Sequence, residues 1–394
     1  MATILFGWEQ GLGLGHVAPH IAMLECLVNA GHKVVFVARK PERVSDLVEQ
    51  LDIEVVQCPL IKVPTGTNSV AYTYADILHN IGWGWPEALT TAVREWHALF
   101  QVIKPDLFVV NYCPTGLLAS QGYPVKRVML DHNFSIPPPV SPLPNLRDWE
   151  KQNTATLLQR EQRLLATMNQ VAQHYKFKPF RFVAELFARV DRTMLLGYPE
   201  LECYRRETGT QYWGSAISDM GESPNWPAVE GKRVFVYLRK FDTLPDLMQT
   251  LRASGCAVLM YAPTTDQAML ANYASKFISI VDKPLNIKEV SSTCDLAITH
   301  SGYNMAVDFL LAGTPMLLLP LYLESFLIAR KIEQMGAGLA APMLKPQGMA
   351  AKFQRLLNEP SFTDAAQRFA EKYRGLDREN QPRNLANALQ LLVK

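Results

Sequence analysis

The sequence predicts an α/β protein of two doubly wound, Rossmann-like domains facing a central cleft, and three observations predict it. Short apolar runs alternate with stretches of helical spacing along most of the chain. The alternation halts once, in a Gly-, Ser- and Pro-rich segment, and then restarts. At 394 residues the chain also exceeds what one ordinary core organises. The domains are therefore expected at 1–213 and 232–394, with a linker at 214–231 (GSAISDMGESPNWPAVEG) and a last helix able to pack back on the first domain.

Taken in order, Thr3–Gly7 is an apolar run followed by the glycine-rich turn Gly11-Leu-Gly13-Leu-Gly15 and then His16. Val17–Ala30 has helical spacing, Gly31-His32 supplies a stop, and Lys33–Ala38 is the next strand. Such β–α–β units build parallel sheets. Ile53–Cys58, Asp106–Asn111, Val125–Leu130 and Asp191–Leu196 read as further strands. Helices are expected from about Tyr72 to Ile103, Arg147 to His174 and Pro179 to Arg189, while Ser135–Asn145 is proline-rich enough to be a loop. In the second half the strands fall at Arg233–Leu238, Ala257–Tyr261 and Phe277–Val281, with Leu339 ending the sheet. Helices follow the spacing at Thr243–Ala253, Gln347–Leu357, Thr363–Tyr373 and Arg383–Leu392.

The stretch that organises the chain is 282–325. It reads as a buried strand Asp295–Thr299, a loop His300–Asn304, a helix to Leu311, a Gly-x-Pro turn and a second strand. A loop of His, Ser, Gly and Asn before a helix presents free N–H groups beside the positive end of the helix dipole. That is a site for a phosphate or diphosphate.

Composition excludes several classes. A net charge of +2 gives no general attraction to nucleic acid or acidic membranes. The six cysteines include no CxxC pair, which speaks against a disulfide framework or a zinc site and for a reduced, cytoplasmic setting. MATILFGWEQ starts with a strand rather than a basic leader, and no apolar run approaches the roughly 18 residues of a membrane span, so no integral membrane segment is expected.

Two motifs, one in each half, carry a family likeness. GLGLGHVAP (Gly11–Pro19) is similar to a G-x-G-H-x-x-P opening. THSGYN (Thr299–Asn304), with Gly313, Pro315, Pro320 and Glu324, stands at the spacing of a nucleotide-sugar donor motif. Together they make the chain resemble the GT-B glycosyltransferases, particularly the natural-product transferases, and also the peptidoglycan N-acetylglucosaminyltransferase that makes lipid II. The resemblance implies a metal-independent, inverting transfer of a sugar from a nucleoside diphosphate (UDP or dTDP) to a hydroxyl of a small-molecule or lipid-linked acceptor. The nucleotide sugar is then a co-substrate, and no cofactor is implied. No Asp-x-Asp motif occurs, so the metal-carrying site of the other large glycosyltransferase fold is not expected.

Position by position, the resemblance makes His16 the general base. It places the donor diphosphate on His300, Ser301, Gly302, Tyr303 and Asn304, the ribose on Asp308 where the family has Glu, and the sugar on Glu324 and Ser325. The departures are specific. The tryptophan that stacks on uracil falls at Asp282 and its following glutamine at Leu285, which leaves thymidine or another nucleotide open. The family's phosphate-binding serine is Met305, and the glutamine after the acidic residue is Ser325. The glycine–serine turn after the first strand of the donor half is Leu238-Arg239-Lys240, whose cations could face phosphate. The carboxylate that orients the histidine in plant members falls near Asn111.

Chemically, a histidine suits the base because its ordinary pKa lies near the operating pH. Asn111 could orient the ring without raising its basicity as a carboxylate would; Asp106 and Asp131 are the acidic alternatives. Gly15, Trp83 and Phe134, with Trp85, Tyr72 and Tyr74, are candidates to line an acceptor pocket, set against the ordinary reading of such aromatics as core. Two other classes stay open. One is an NADP-dependent oxidoreductase using GLGLG and Arg39-Lys40, although Val17 or Ala18 falls where a dinucleotide fingerprint needs a small residue. The other is a degenerate nucleotide-sugar-binding partner protein, for which Met305, Asn111 and Asp282 speak.

Overall fold

In the computed structural model, residues 1–11, 13–63, 69–207, 209–215, 217, 220–341 and 348–393 are described. Leu12 of the glycine-rich turn, residues 216, 218 and 219 of the expected linker and Gln347 of an expected helix lie outside them. The chain forms two compact units: Met1–Gly214 with Asn380–Lys394, and Ser215–Glu379.

In unit 1 the strands β1 (Thr3–Trp8), β2 (Lys33–Ala38), β3 (Ile53–Gln57), β4 (Leu107–Asn111), β5 (Lys126–His132) and β6 (Arg192–Leu196) form one parallel sheet in the order β3-β2-β1-β4-β5-β6. The central strands are short continuous apolar runs because helices cover both faces. Alternate residues of β1 go to opposite sides. Ile4, Phe6 and Trp8 pack with residues of α1 (Ile21–Asn29) and α2 (Pro41–Val48), while Leu5 packs on the side of α4 (Pro86–Ile103) and α6 (Thr154–His174). The remaining helices are α3 (Tyr74–Leu78), α5 (Pro114–Ser120) and α7 (Glu185–Ala188).

In unit 2, β7 (Arg233–Tyr237), β8 (Ala257–Tyr261), β9 (Ile278–Val281), β10 (Leu296–Thr299), β11 (Met316–Leu318) and β12 (Gly338–Ala340) form a second parallel sheet, ordered β12-β11-β10-β7-β8-β9. Its helices are α8 (Leu244–Ser254), α9 (Gln267–Ala271), α10 (Ile287–Thr293), α11 (Tyr303–Leu311), α12 (Leu323–Met335), α13 (Met349–Asn358) and α14 (Pro360–Lys372). The final helix, α15 (Gln381–Gln390), belongs to unit 1: Leu385, Ala386 and Leu389 join Met23, Leu24 and Leu27 of α1 in one buried cluster. Most of 214–231 belongs to unit 2, where Glu222 bridges to Leu285.

Several expected helices are shorter for local reasons. The stretch from Tyr72 to Ile103 is broken at Gly82, whose φ of 113° leaves the helical region, and restarts behind Pro86. Asn153 caps the start of α6 by accepting from the Ala155 N–H, so residues from Arg147 onward lie outside that helix. Val17–His20 winds as a tight turn before α1, and only Glu185–Ala188 of the expected 179–189 helix forms.

Each sheet reverses its strand order once, between β1 and β4 in unit 1 and between β7 and β10 in unit 2. Ligands of doubly wound sheets bind beyond the carboxyl ends of the strands at such a point.

Candidate active site

In unit 1, β1 and β4 run in register, with Trp8 opposite Asn111, so the segments that follow Trp8 and Asn111 emerge side by side at the reversal point. The His16 ring lies 5.6 Å from that of Tyr112 and 6.2 Å from that of His132. Tyr112 has φ of 43°, a strained value for a residue with a side chain, and directly follows β4. Gly11 is required beside the ring: at φ of 88°, a β-carbon there would stand 2.6 Å from His16 Cδ2 and Nε2.

The groups around His16 differ from those expected. Asn111 turns to His20. Its amide nitrogen donates to the Leu130 carbonyl at 2.9 Å, which fixes the amide's orientation, and contacts His20 Nε2 at 3.1 Å. Because an amide nitrogen only donates, His20 Nε2 is the acceptor there. Burial, against the pull of Asp131 and reinforced by His132 and His16, lowers His20 to about 3. Asn111 therefore holds a neutral, buried His20 rather than orienting His16.

The carboxylate beside His16 is Asp131, near the end of β5. One nitrogen of His16, one of His132 and one Asp131 oxygen all lie within 4.8 Å of one another. Asp131 Oδ1 accepts from the His132 backbone N–H at 2.7 Å and lies 3.2 Å from His132 Nδ1; Oδ2 accepts from the Ser135 hydroxyl at 2.6 Å. Burial pushes this carboxyl up, but His132, His16 and the Ser135 hydroxyl outweigh burial and hold it at about 2. Asp131 is thus a buried anion beside the His16 and His132 imidazoles. Asp106 is excluded from the site, since its carboxylate accepts from the Thr3 N–H at 2.7 Å at the start of the strands.

The aromatic acceptor candidates divide. Trp83 is fully buried in the core, donating its indole N–H to Thr115 Oγ1 at 3.1 Å, and Thr115 in turn is held by Glu9 at 2.5 Å. It is a core residue. Phe134 is also buried, edge-on to Tyr74 and to Tyr112, and so backs the residue beside His16. Gly15 is exposed, with open space where a β-carbon would be. The Arg39 guanidinium, the candidate for a 2′-phosphate, donates to the Glu9 carbonyl at 3.0 Å.

In unit 2 the reversal point brings the loop after β7 against the loop after β10. His300 has both ring nitrogens engaged: Nε2 accepts from the Arg239 backbone N–H, and Nδ1 lies 3.1 Å from the Leu319 carbonyl. Burial, with Arg239 adding and the Leu319 carbonyl opposing, lowers this ring to about 4. The neutral His300 ring ties the chain ends that follow β7, β10 and β11 together. Ser301 stands at φ of 62° with its hydroxyl buried and without a hydrogen-bond partner; its N–H donates to Thr299 Oγ1 at 3.2 Å. Gly302 is open and caps the start of α11, whose first residue Tyr303 is buried while Asn304 is half-buried. The Arg239 guanidinium has no partner among the described residues.

Asp308 is occupied by Arg378, which reaches its Oδ1 at 2.5 Å and also bonds the Ser215 carbonyl at 3.0 Å. Burial pushes the Asp308 carboxyl up despite Arg378. Glu324 lies half-buried in the first turn of α12. The Ser325 hydroxyl is spent on that turn, accepting from the Leu321 and Tyr322 N–H groups at 3.2 and 3.1 Å and donating to the Tyr322 carbonyl at 2.9 Å. Ser325 is a cap, not a free donor to sugar.

Two site residues, Tyr112 and His132, escape the sequence reading. The Asp-His pair at the carboxyl end of an apolar run was the available signal for His132. For Arg378, in an unpatterned segment between helices, there was none.

Two six-stranded parallel sheets, each reversing once with its loops gathered at that point, are the architecture of the GT-B glycosyltransferases, and the chain has that fold. It is similar over 99% of both chains to glycosyltransferase VinC in complex with dTDP, with a TM-score of 0.69 and 14% identity. With the spinosyn rhamnosyltransferase SpnG complexed with thymidine diphosphate the TM-score is 0.67 and the identity 15%, over 99% of this chain and 100% of that one. A protein of Caenorhabditis briggsae named as a UDP-glucuronosyltransferase, ugt-47, is 33% identical over 78 residues, which are 19% of this chain and 15% of the relative's length. No family model matches the chain.

Proposed function

We propose that the chain is a glycosyltransferase that moves a sugar from a nucleoside diphosphate to an acceptor hydroxyl, with inversion and without a metal cofactor. The observation that carries this reading is the approach of the buried Asp131 carboxylate to His16 at the reversal point of unit 1. A carboxylate beside an imidazole stabilises the imidazolium that forms when the ring takes a proton. His16 is then the base and Asp131 its positioning residue, in the role assigned from the sequence to Asn111.

In one displacement the acceptor O–H gives its proton to His16 while its oxygen bonds the anomeric carbon. The bond from that carbon to the diphosphate oxygen breaks, and the nucleoside diphosphate leaves with the electron pair. A single displacement inverts the anomeric centre. The leaving diphosphate is met by the N–H groups that open α11 and by the Arg239 guanidinium, with the helix dipole adding positive potential. The absence of the uracil-stacking tryptophan at Asp282, and the thymidine diphosphate bound to VinC and SpnG, favour dTDP over UDP as the donor nucleotide. The acceptor is a small molecule or a lipid-linked hydroxyl, and the setting is cytoplasmic; no described helix is long and apolar enough to cross a membrane.

The test is a thermal-shift series with dTDP, UDP, GDP, ADP and NADP, followed by turnover with the matching sugar donor. Saturation at about 100-fold over Kd stabilises by about 2.7 kcal/mol, a readable shift. The expected ligand is dTDP, with a weaker shift in Arg239→Ala and an inverted anomer in the product. Stabilisation by NADP alone, or a product retaining the donor's configuration, would overturn the reading. Activity is expected to survive chelation; its complete loss would refute metal independence.

A further inference from the structure

We propose that His16, His132 and Asp131 form a site for one divalent transition-metal ion of the zinc type, and that filling it withdraws His16 from catalysis. The binding half stands on geometry alone; the inhibitory half rests on the reading of His16 as the base.

The donor set is two imidazoles and one carboxylate, with their ligand atoms within 4.8 Å of one another. A tetrahedral ion about 2.1 Å from each ligand needs ligand atoms roughly 3.4 Å apart. His132 Nδ1 and Asp131 Oδ1 already stand at 3.2 Å. Only His16 has to close in, and it sits half-buried on a turn that also holds Gly13 and Gly15. Its Nδ1 and the Nδ1 of neighbouring His20 are buried without hydrogen-bond partners.

The surroundings hold the ligands ready. Asp131 is fixed from both sides, by the His132 backbone N–H and by the Ser135 hydroxyl, which is the outer-shell support that orients a ligating carboxylate. One carboxylate with two neutral imidazoles suits Zn²⁺, Ni²⁺ or Co²⁺, whereas Mg²⁺ and Ca²⁺ demand an oxygen shell that this set does not provide. Three protein ligands leave positions for water. An ion bound there takes the lone pair with which His16 would accept the acceptor's proton.

The experiment is dialysis of the full chain against zinc chloride with metal quantification, for wild type, His132→Gln, Asp131→Asn and the exposed-histidine control His174→Gln. One zinc per chain is expected, with affinity falling about 10- to 100-fold in His132→Gln and Asp131→Asn and unchanged in His174→Gln. Near-ultraviolet circular dichroism checks that the variants fold. Should they not, cobalt added to wild type gives a second readout: strong visible absorption marks a four- or five-coordinate site, and the pale spectrum of the hydrated ion overturns the proposal. Zinc retained equally by all variants would place it on other residues and also overturn the proposal. Bound zinc with undiminished glycosyl transfer would refute the inhibitory half. Zinc bound at the site of a chain that transfers no sugar from any donor would leave the site standing and overturn the transferase reading instead.

Discussion

On the proposed reading, the carboxylate of Asp131 serves His16 as an amide at Asn111 would not, because a negative charge favours the protonated ring and a neutral donor gives no such help. His16→Ala is expected to lower kcat by about 10²- to 10⁴-fold, the usual contribution of a general base. Asp131→Asn should lower kcat and move the acidic limb of the kcat/KM profile, the limb that a general base sets, to lower pH, a displacement that a purely structural role would not cause. Stability carries its own signature. His20 and His300 have ring pKa values lowered to about 3 and about 4, against an ordinary value of about 6.5. Between those limits the unfolded chain binds more protons than the folded one, so stability is full above about pH 6.5 and falls as the pH drops toward 4. Urea unfolding near pH 5 should take up about two protons at these sites, and about one in His20→Gln.

At the scale of the element, two turns decide where the chemistry stands. The Gly11 turn lets the His16 ring lie against the main chain. Gly11→Ala combines a left-handed φ with a 2.6 Å collision and should displace the ring. It is expected to cost about 1–3 kcal/mol of stability, and about 100-fold in kcat from a displacement on the order of 1 Å. Urea melts and initial rates on the same preparation separate the two effects. At α12, Ser325 serves the helix start. Ser325→Ala should therefore lose about 1 kcal/mol in a urea melt and leave the KM for the sugar donor within about twofold, as loss of a cap does. A large rise in donor KM would return Ser325 to the sugar site.

For the whole molecule, the return of α15 to unit 1 matters most. Leu385 and Leu389 are at most 1% exposed against α1, and such side chains contribute about 1.5–3 kcal/mol each on burial. Truncation after Glu379 should weaken unit 1 by about 3–6 kcal/mol, seen as earlier urea unfolding or faster proteolysis of fragments from 1–214. Equal resistance in the truncated chain would show that α15 contributes little.

The sequence by itself determined the strands and the places where loops carry chemistry. A strand buried on both faces is a short continuous apolar run, and the central strands β1, β4, β7 and β10 contain such runs; the glycine-rich turn with His16 follows the first of them and the His300 loop follows the last. Tertiary structure alone decided the partners. Asp131 stands by His16 because β5 lies next to β4 and β4 next to β1, and Asn111 reaches His20 because the register sets Trp8 opposite Asn111. The capture of Asp308 by Arg378, the tethering of His300 and the burial of Trp83 are likewise non-local. Local periodicity records how deeply each residue is buried, whereas the direction of its side chain at a strand end depends on pairing with distant chain, which no short window contains.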